Sequence, residues 1–128
     1  MPFAGDVVGI GIDVVSWERI KRLLKAHSPE AFDRILTPDE RKSFQESFDP
    51  VQRLARLLAA KEASFKAGSG SWMGDEGFRQ IEITFKDPNR FQASNSSQSE
   101  FGIETEGNFF EAPEGIGALA FAKRGQDR

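Results

Sequence analysis

Apolar and polar residues alternate over residues 7–15, which predicts a β-strand near the start of the chain. One face of this strand is uniformly apolar and carries Val8, Ile10, Ile12 and Val14. The opposite face carries Gly9 and Gly11, followed by Asp13. Glycines beside an aspartate leave open space before the carboxylate, which either a bulky ligand or a second stretch of backbone could fill.

Capping residues and prolines predict a series of helices after the strand. Ser16 can cap an amphipathic, strongly basic helix. The apolar residues at helical spacing in it are Trp17, Ile20, Leu23 and Leu24. Serine and proline at positions 28 and 29 predict a short helix that ends near Ile35. Thr37 and Glu40 have the spacing of a capping box and predict a further helix.

The second half of the chain changes from helical to alternating periodicity. The longest helix is predicted over residues 50–67, and the Gly-Ser run at 68–71 ends it. Strands are predicted over residues 81–86, 101–106 and 115–123. Residues 87–99, rich in Asn, Ser and Gln, are predicted to form an exposed loop. Helices first and strands later predict an α+β fold.

The long helix places a carboxylate and two ammonium groups together. A rotation of 100° per residue puts Lys61 in the apolar stripe and Glu62 at its edge, with Lys66 one turn further along. Glu62 could help to bind a metal and an anionic ligand. Alternatively, Glu62 and Lys66 could form an ordinary i,i+4 ion pair that stabilises the helix by roughly 0.2–0.5 kcal/mol. Asp13 could likewise be a simple turn or helix-start residue. The occurrence of both segments in one chain favours a shared metal.

Composition narrows the class of protein. The 128 residues are expected to form a single domain, residues 1–128. A net charge of −3 and a pI near 5.2 argue against a nucleic-acid-binding domain. The chain contains no cysteine, so disulfides, thiolate zinc sites and a cysteine nucleophile are excluded. Its apolar runs are too short to span a membrane and the first residues lack a secretion signal, so a cytoplasmic protein is expected.

Three segments together resemble the small, trimeric holo-(acyl-carrier-protein) synthase type of the 4'-phosphopantetheinyl transferase superfamily. They are Ile10-Gly11-Ile12-Asp13, Phe32 to Glu40, and Lys61-Glu62-Ala63-Ser64-Phe65-Lys66. The family has an Ile-Gly-hydrophobic-Asp strand, an Arg-hydrophobic-hydrophobic-Thr-x-x-Glu segment and a Lys-Glu-Ala-x-x-Lys helix. The resemblance covers residues 8 to about 70. It implies an N-terminal strand, several helices and then an antiparallel sheet packed on the long helix.

The resemblance implies transfer of the 4'-phosphopantetheine group from coenzyme A to a serine of an acyl carrier protein, with release of adenosine 3',5'-bisphosphate. It implies that Asp13 and Glu62 bind Mg²⁺, a hard cation that prefers carboxylate and phosphate oxygens. Lys66 would hold the phosphate or stabilise the leaving group, and either Glu62 or a metal-bound water would accept the serine proton. The catalytic residues would thus be Asp13, Glu62 and Lys66. The residues expected to contact coenzyme A are Arg56, Lys61, Lys66, Gly68, Ser69 and Gly70.

The resemblance also implies protein partners. Carrier proteins are acidic, so the basic first helix is expected to dock one through Arg19, Arg22 and Lys25. A homotrimer is expected, with active sites between subunits and with the carrier docked on the basic helix of an adjacent subunit. His27 is the only histidine and has no metal-ligand spacing to a second one, so it is expected at the surface.

The C-terminal half diverges from the family pattern. Members carry a Ser-x-Ser-His segment before the last strand, where this chain has Phe110-Glu111-Ala112-Pro113. The family's Gly-Arg before the helix motif is replaced by Arg56-Leu57, and residues 87–110 match no family feature. These departures leave a second interpretation open, a catalytically silent member that binds a nucleotide or a carrier protein. A third interpretation is an unrelated α+β interaction domain.

Overall fold

A computed structural model describes residues 5–26, 29–68, 79, 81–94 and 102–125. The helices are α1 (Trp17–Ala26), a 3₁₀ helix (Pro29–Arg34), α2 (Pro38–Gln45) and α3 (Pro50–Gly68). The strands are β1 (Gly5–Ser16), β2 (Glu82–Asp87), β3 (Arg90–Ser94), β4 (Ile103–Ala112) and β5 (Gly115–Gly125). The strands form one antiparallel sheet in the order β1-β5-β4-β3-β2, which confirms the predicted α+β class.

The helices begin where the capping residues predicted. The Thr37 hydroxyl accepts the Glu40 amide at 3.2 Å, and the Thr37 amide donates to the Glu40 carboxylate at 2.9 Å, so the capping box is complete. Ser16 and Asp49 each accept a first-turn amide of α1 and α3, at 3.1 and 3.2 Å. The short helix predicted after Pro29 is present as a 3₁₀ helix rather than an α-helix.

The predicted loop over residues 87–99 is wrong in part. Residues 90–94 form β3, which pairs with β2 across a tight turn at 88 and 89. The polar composition concealed a short alternation in which Phe91 and Ala93 are buried between more exposed neighbours. β4 is also longer than predicted and extends to Ala112 instead of 106. In both cases pairing with neighbouring strands outweighs weak local strand propensity.

The glycines of β1 make room for the backbone of α3. A Cβ added at Gly9 would lie 1.9 Å from the Ala67 carbonyl oxygen, and one at Gly11 would lie 2.0 Å from that of Ala63. The sequence predicted that either a ligand or a second stretch of backbone fills this space. The backbone of α3 fills it. The close approach sets Asp13, two residues after Gly11, against α3.

The sheet has one covered face and one open face. α3 packs its alanines against the alanines of β5 on the covered face, and both sets are buried. The open face carries the outer strip of β1, namely Val8, Ile10, Ile12 and Val14, which are 45%, 61%, 56% and 53% exposed. No helix in the described part of the chain is long and apolar enough to cross a membrane.

Candidate active site

Asp13 and Glu62 meet where β1 passes α3. Their carboxyl groups lie within hydrogen-bonding reach of one another, and the two side chains are only 15% and 23% exposed. Asp13 reaches this position because the preceding glycines allow β1 to approach the helix. β1 and α3 thus bring the two predicted carboxylates together, and the metal that they are predicted to share stays a prediction.

Two basic side chains neutralise the acidic pair. Lys66 Nζ donates to Asp13 Oδ1 at 2.7 Å and to the Ile12 carbonyl at 3.3 Å. Arg19 Nη2 donates to Glu62 Oε1 at 3.2 Å. The simple Glu62–Lys66 pair within α3 is therefore not the arrangement found. Lys66 reaches from α3 to β1, and Arg19 reaches from α1 to α3. The contact between Arg19 and Glu62 had no sequence signal, since 43 residues separate them.

One carboxylate oxygen of the pair has no basic, amide or hydroxyl donor in the part of the chain that the structure describes. Asp13 Oδ2 is buried, and no amide, hydroxyl or basic side chain among the described residues donates to it; its polar neighbour is the Glu62 carboxyl group. Burying an anionic oxygen without a donor is unfavourable, and native structures usually provide one. An orphaned carboxylate oxygen beside a second carboxylate is a suitable position for a cation.

The electrostatics of the two carboxyl groups differ. Burial, the hydrogen bond to Asp13 and its charge raise the pKa of Glu62 to about 7, although Arg19 acts in the opposite direction. Burial would also raise the pKa of Asp13, but the hydrogen bonds with Glu62 and Lys66 outweigh it and the pKa lies below its usual value. The hydrogen bond to Asp13 raises the pKa of Lys66. The pair therefore carries less than two negative charges near neutral pH.

The donor set fits a hard divalent cation with an incomplete protein shell. No cluster of three or more His, Cys, Asp or Glu side chains exists among the described residues, so the protein offers two carboxylates. Mg²⁺ is commonly bound by one or two carboxylates, with water and substrate phosphates completing its shell. Asp13 and Glu62 match that pattern.

The prediction that Lys61 contacts coenzyme A is not supported by its position. Its side chain is fully buried, and Nζ donates to Glu40 at 2.8 Å and to the carbonyls of Ile81 and Arg79 at 2.6 and 3.2 Å. The second Glu40 oxygen accepts the Ile83 amide at 2.7 Å. Lys61 thus joins α2, α3 and the start of β2, and helical periodicity alone could not distinguish this buried cation from a ligand-binding one.

Arg56 lies apart from the acidic pair. Its guanidinium donates to the Pro88 carbonyl at 2.8 Å and lies 4.9 Å from the centre of the Phe109 ring. Arg53 stacks similarly, 4.5 Å from the Phe85 ring. Both arginines line a cleft of about 690 Å³ between the α2–α3 connection and the β2–β3 turn. Neither Asp13 nor Glu62 lines this cleft.

The remaining predicted site residues are partly described. Arg22 and Lys25 are exposed on α1, as a docking surface requires. Gly68 is the buried last residue of α3, whereas Ser69 and Gly70 lie outside the described residues, as does His27. Phe110 to Pro113 form the end of β4 and the turn into β5.

Comparison with known proteins identifies the family. Residues 9–113 match the 4'-phosphopantetheinyl transferase superfamily. The holo-[acyl-carrier-protein] synthase of Neisseria meningitidis serogroup A is 44% identical over 77 residues, which are 60% of this chain and 62% of that protein. The one from Aromatoleum aromaticum is 48% identical over 63 residues, 48% of this chain and 50% of that protein. The alignment thus spans under two thirds of these curated relatives.

Solved structures share the fold over most of the chain. The crystal structure of holo-[acyl-carrier-protein] synthase from Neisseria meningitidis has a TM-score of 0.77 and 32% identity, and covers 91% of this chain and 98% of that one. The synthase from Helicobacter pylori in complex with coenzyme A has a TM-score of 0.67 and 23% identity, and covers 89% and 99%. This chain therefore belongs to the 4'-phosphopantetheinyl transferase superfamily.

Proposed function

We propose that the protein transfers the 4'-phosphopantetheine group of coenzyme A to a serine of an acyl carrier protein. The observation that carries this proposal is the contact between Asp13 and Glu62, with one Asp13 oxygen buried and unpartnered among the described residues. Curated relatives named holo-[acyl-carrier-protein] synthase support the reaction class, and a related fold has been crystallised with coenzyme A.

The acidic pair is proposed to hold Mg²⁺ through both carboxylates. When bound, the ion would neutralise the negative charge that develops on the pyrophosphate oxygens. Lys66 would add a positive charge beside them, because its side chain is 55% exposed and already lies 2.7 Å from Asp13. Asp13 and Lys66 thereby orient the phosphate towards the position of the incoming serine.

The proposed step is an in-line displacement at phosphorus. The serine oxygen forms a bond to the phosphorus on the pantetheine side, and the bond from that phosphorus to the bridging oxygen breaks. Adenosine 3',5'-bisphosphate leaves with the bridging oxygen and its electron pair. The serine proton passes to Glu62 or to solvent water.

The cleft beside Arg53 and Arg56 is the proposed site for the anionic, aromatic end of coenzyme A. Two guanidinium groups stacked on phenylalanine rings present their edges for phosphate oxygens. Burial and the neighbouring Arg53 charge lower the pKa of Arg56, which an anion would offset. Of the remaining predicted contacts, Gly68, Ser69 and Gly70 stay proposals, and Lys61 is removed.

The carrier is proposed to dock on α1 beside the acidic pair. Arg19 lies on the same helix as the exposed Arg22 and Lys25, at three-residue spacing, and contacts Glu62. An acidic helix docked along this face would bring its serine to the carboxylates of an adjacent subunit in the proposed trimer. A cytoplasmic setting is proposed, where such carriers and coenzyme A occur together.

A homotrimer is the proposed assembly. The outer strip of β1 continues onto β5, where Leu119 pairs with Ile12 and Phe121 pairs with Ile10. A continuous apolar face of this kind marks an interaction surface. Light scattering is expected to give three times the 14.2 kDa chain mass, and Ile12→Lys is expected to reduce it.

The transfer is tested by the intact mass of an apo-acyl carrier protein incubated with the protein, coenzyme A and Mg²⁺. A gain equal to one phosphopantetheine group is expected, and it should appear at least about 100-fold more slowly with Asp13→Asn or Glu62→Gln. Glu104→Gln, an exposed carboxylate on β4, is the matched control and should behave as wild type. Binding of coenzyme A without any mass gain on several carriers would instead support the catalytically silent interpretation.

A further inference from the structure

Arg19 occupies an unusual position for a residue expected to dock a carrier. Its side chain is 45% exposed, yet its guanidinium is held by Glu62 at 3.2 Å. Glu62 is one of the two carboxylates of the acidic pair, and its side chain is 23% exposed. One face of Arg19 therefore contacts the candidate metal site, while the side chain remains accessible to a partner on α1.

The contact with Glu62 is suited to exchange. It is a single hydrogen bond at the long end of the normal range, and ion pairs between partly exposed side chains are weak. A small divalent cation with higher charge density would compete for the same Glu62 oxygen. Because two cations close to one carboxylate repel each other, entry of the metal favours release of Arg19.

Once released, the Arg19 guanidinium is more stable when it pairs with another anion than when it stays beside the bound cation. Arg22 and Lys25 extend the same basic surface of α1, so a carboxylate on an acidic partner helix would meet Arg19 at its inner end. The planar guanidinium can bind such a carboxylate through two hydrogen bonds, which is stronger than the one it makes to Glu62.

We propose that Arg19 is a shared counter-ion that pairs with Glu62 in the metal-free protein and turns to a carboxylate of the carrier protein when a divalent cation takes Glu62. This inference rests on the proposed function and adds a coupling between cation binding and carrier binding. Since coupling between two binding sites is reciprocal, the cation should strengthen carrier binding and the carrier should strengthen cation binding by the same factor.

The first test measures Mn²⁺ binding by electron paramagnetic resonance of the free ion, without coenzyme A and without turnover. Arg19→Gln removes the competing cation, so it is expected to bind Mn²⁺ about two- to fivefold more tightly than wild type. Lys21→Gln removes an equal charge from an exposed position of the same helix and is the matched control. Arg19→Lys, which keeps the charge, should remain close to wild type.

The second test repeats the titration with a saturating apo-carrier protein. Wild type is expected to bind Mn²⁺ more tightly in its presence, and Arg19→Gln is expected to show no such gain. Equal Mn²⁺ affinities for Arg19→Gln and Lys21→Gln, or no effect of the carrier on wild type, would overturn the shared counter-ion.

The outcomes also separate this inference from the proposed metal site. If wild type binds Mn²⁺ and Asp13→Asn does not, the metal site stands whatever Arg19 does. Absence of Mn²⁺ binding to wild type would overturn the metal site and the shared counter-ion together.

Discussion

Lys61 and Glu62 are neighbours on α3, yet they belong to ionic clusters of opposite character. Lys61 and Glu40 form a buried pair in which Lys61 Nζ makes three hydrogen bonds and both Glu40 oxygens accept donors. Glu62 and Asp13 form a half-buried pair of like charge, and one Asp13 oxygen has no partner among the described residues. The polar atoms of the first cluster are satisfied within the protein, whereas the second cluster leaves a carboxylate oxygen for the proposed cation.

This difference separates a structural from a functional use of buried charge. A buried ion pair withstands its desolvation when every polar atom is satisfied, and then it fixes elements relative to one another. A carboxylate pair with an unsatisfied buried oxygen lowers the stability of the folded protein. Ionisable groups perturbed in this way concentrate at functional sites. Substitutions in the first cluster should therefore change stability, and those in the second should change activity.

The largest expected effect is on stability, from Lys61→Met. It leaves the buried Glu40 carboxylate without its cation and is expected to lower the free energy of unfolding by about 3–5 kcal/mol. Urea denaturation followed by circular dichroism measures this loss. The double variant Lys61→Met, Glu40→Leu should recover much of it, and a loss below about 1 kcal/mol for the single variant would contradict the structural role.

Glu62→Gln should show the reverse pattern. The catalytic efficiency on a carrier protein is expected to fall by about 100-fold or more, because a metal ligand and a candidate proton acceptor are lost. The free energy of unfolding should stay the same or rise, since the amide relieves the repulsion with Asp13. Steady-state rates measure the effect on catalysis, and denaturation of the same preparation measures the effect on stability. A fully active Glu62→Gln variant would show that Glu62 takes no part in the chemistry.

A smaller effect is expected from pH on the metal-free protein. The pKa of Glu62 is raised from near 4.5 to about 7 in the folded state, so the folded state binds more protons in that window. The contribution of Glu62 to stability is therefore present at low pH and lost as pH rises from about 4.5 through about 7, by roughly 2–3 kcal/mol, whereas Asp13 is ionised throughout this window. Comparing wild type with Glu62→Gln from pH 4.5 to 8 isolates it, and parallel curves would rule it out.

The smallest effect tests whether the two clusters are independent. Thr37→Ala removes the hydroxyl that caps α2 beside Glu40 and is expected to lower the free energy of unfolding by about 1 kcal/mol. Mn²⁺ affinity should not change, because the capping box lies in the structural cluster. A parallel loss of Mn²⁺ affinity would show that the clusters are coupled.

The parts of the structure that sequence predicted are those set by local chemistry. The capping box at Thr37, the helix start at Asp49 and the glycine face of β1 each follow from residues within a few positions of one another. The motifs around Asp13 and Glu62 lie on β1 and α3, which pack against each other, and their predicted metal stays a prediction. The strand at 90–94 was missed because its pattern is short and its stability comes from pairing with β2 and β4.

The roles of the basic residues were harder to predict because they depend on long-range contacts. Lys61 lies in an apolar stripe, and only the fold shows that Glu40 and two carbonyls occupy its ammonium group. Arg19 was expected to face a carrier, and its pairing with Glu62 joins residues far apart in the chain. Periodicity assigns a residue to a face of a helix, but it does not identify what that face meets.

The most direct test of the account is a crystal structure grown with Mn²⁺ and coenzyme A, in which anomalous scattering locates the ion. We expect a peak between Asp13 and Glu62, about 2.0–2.3 Å from an oxygen of each carboxylate, with the pyrophosphate on its open side. Bound coenzyme A with the ion absent, or coordinated away from both carboxylates, would contradict it.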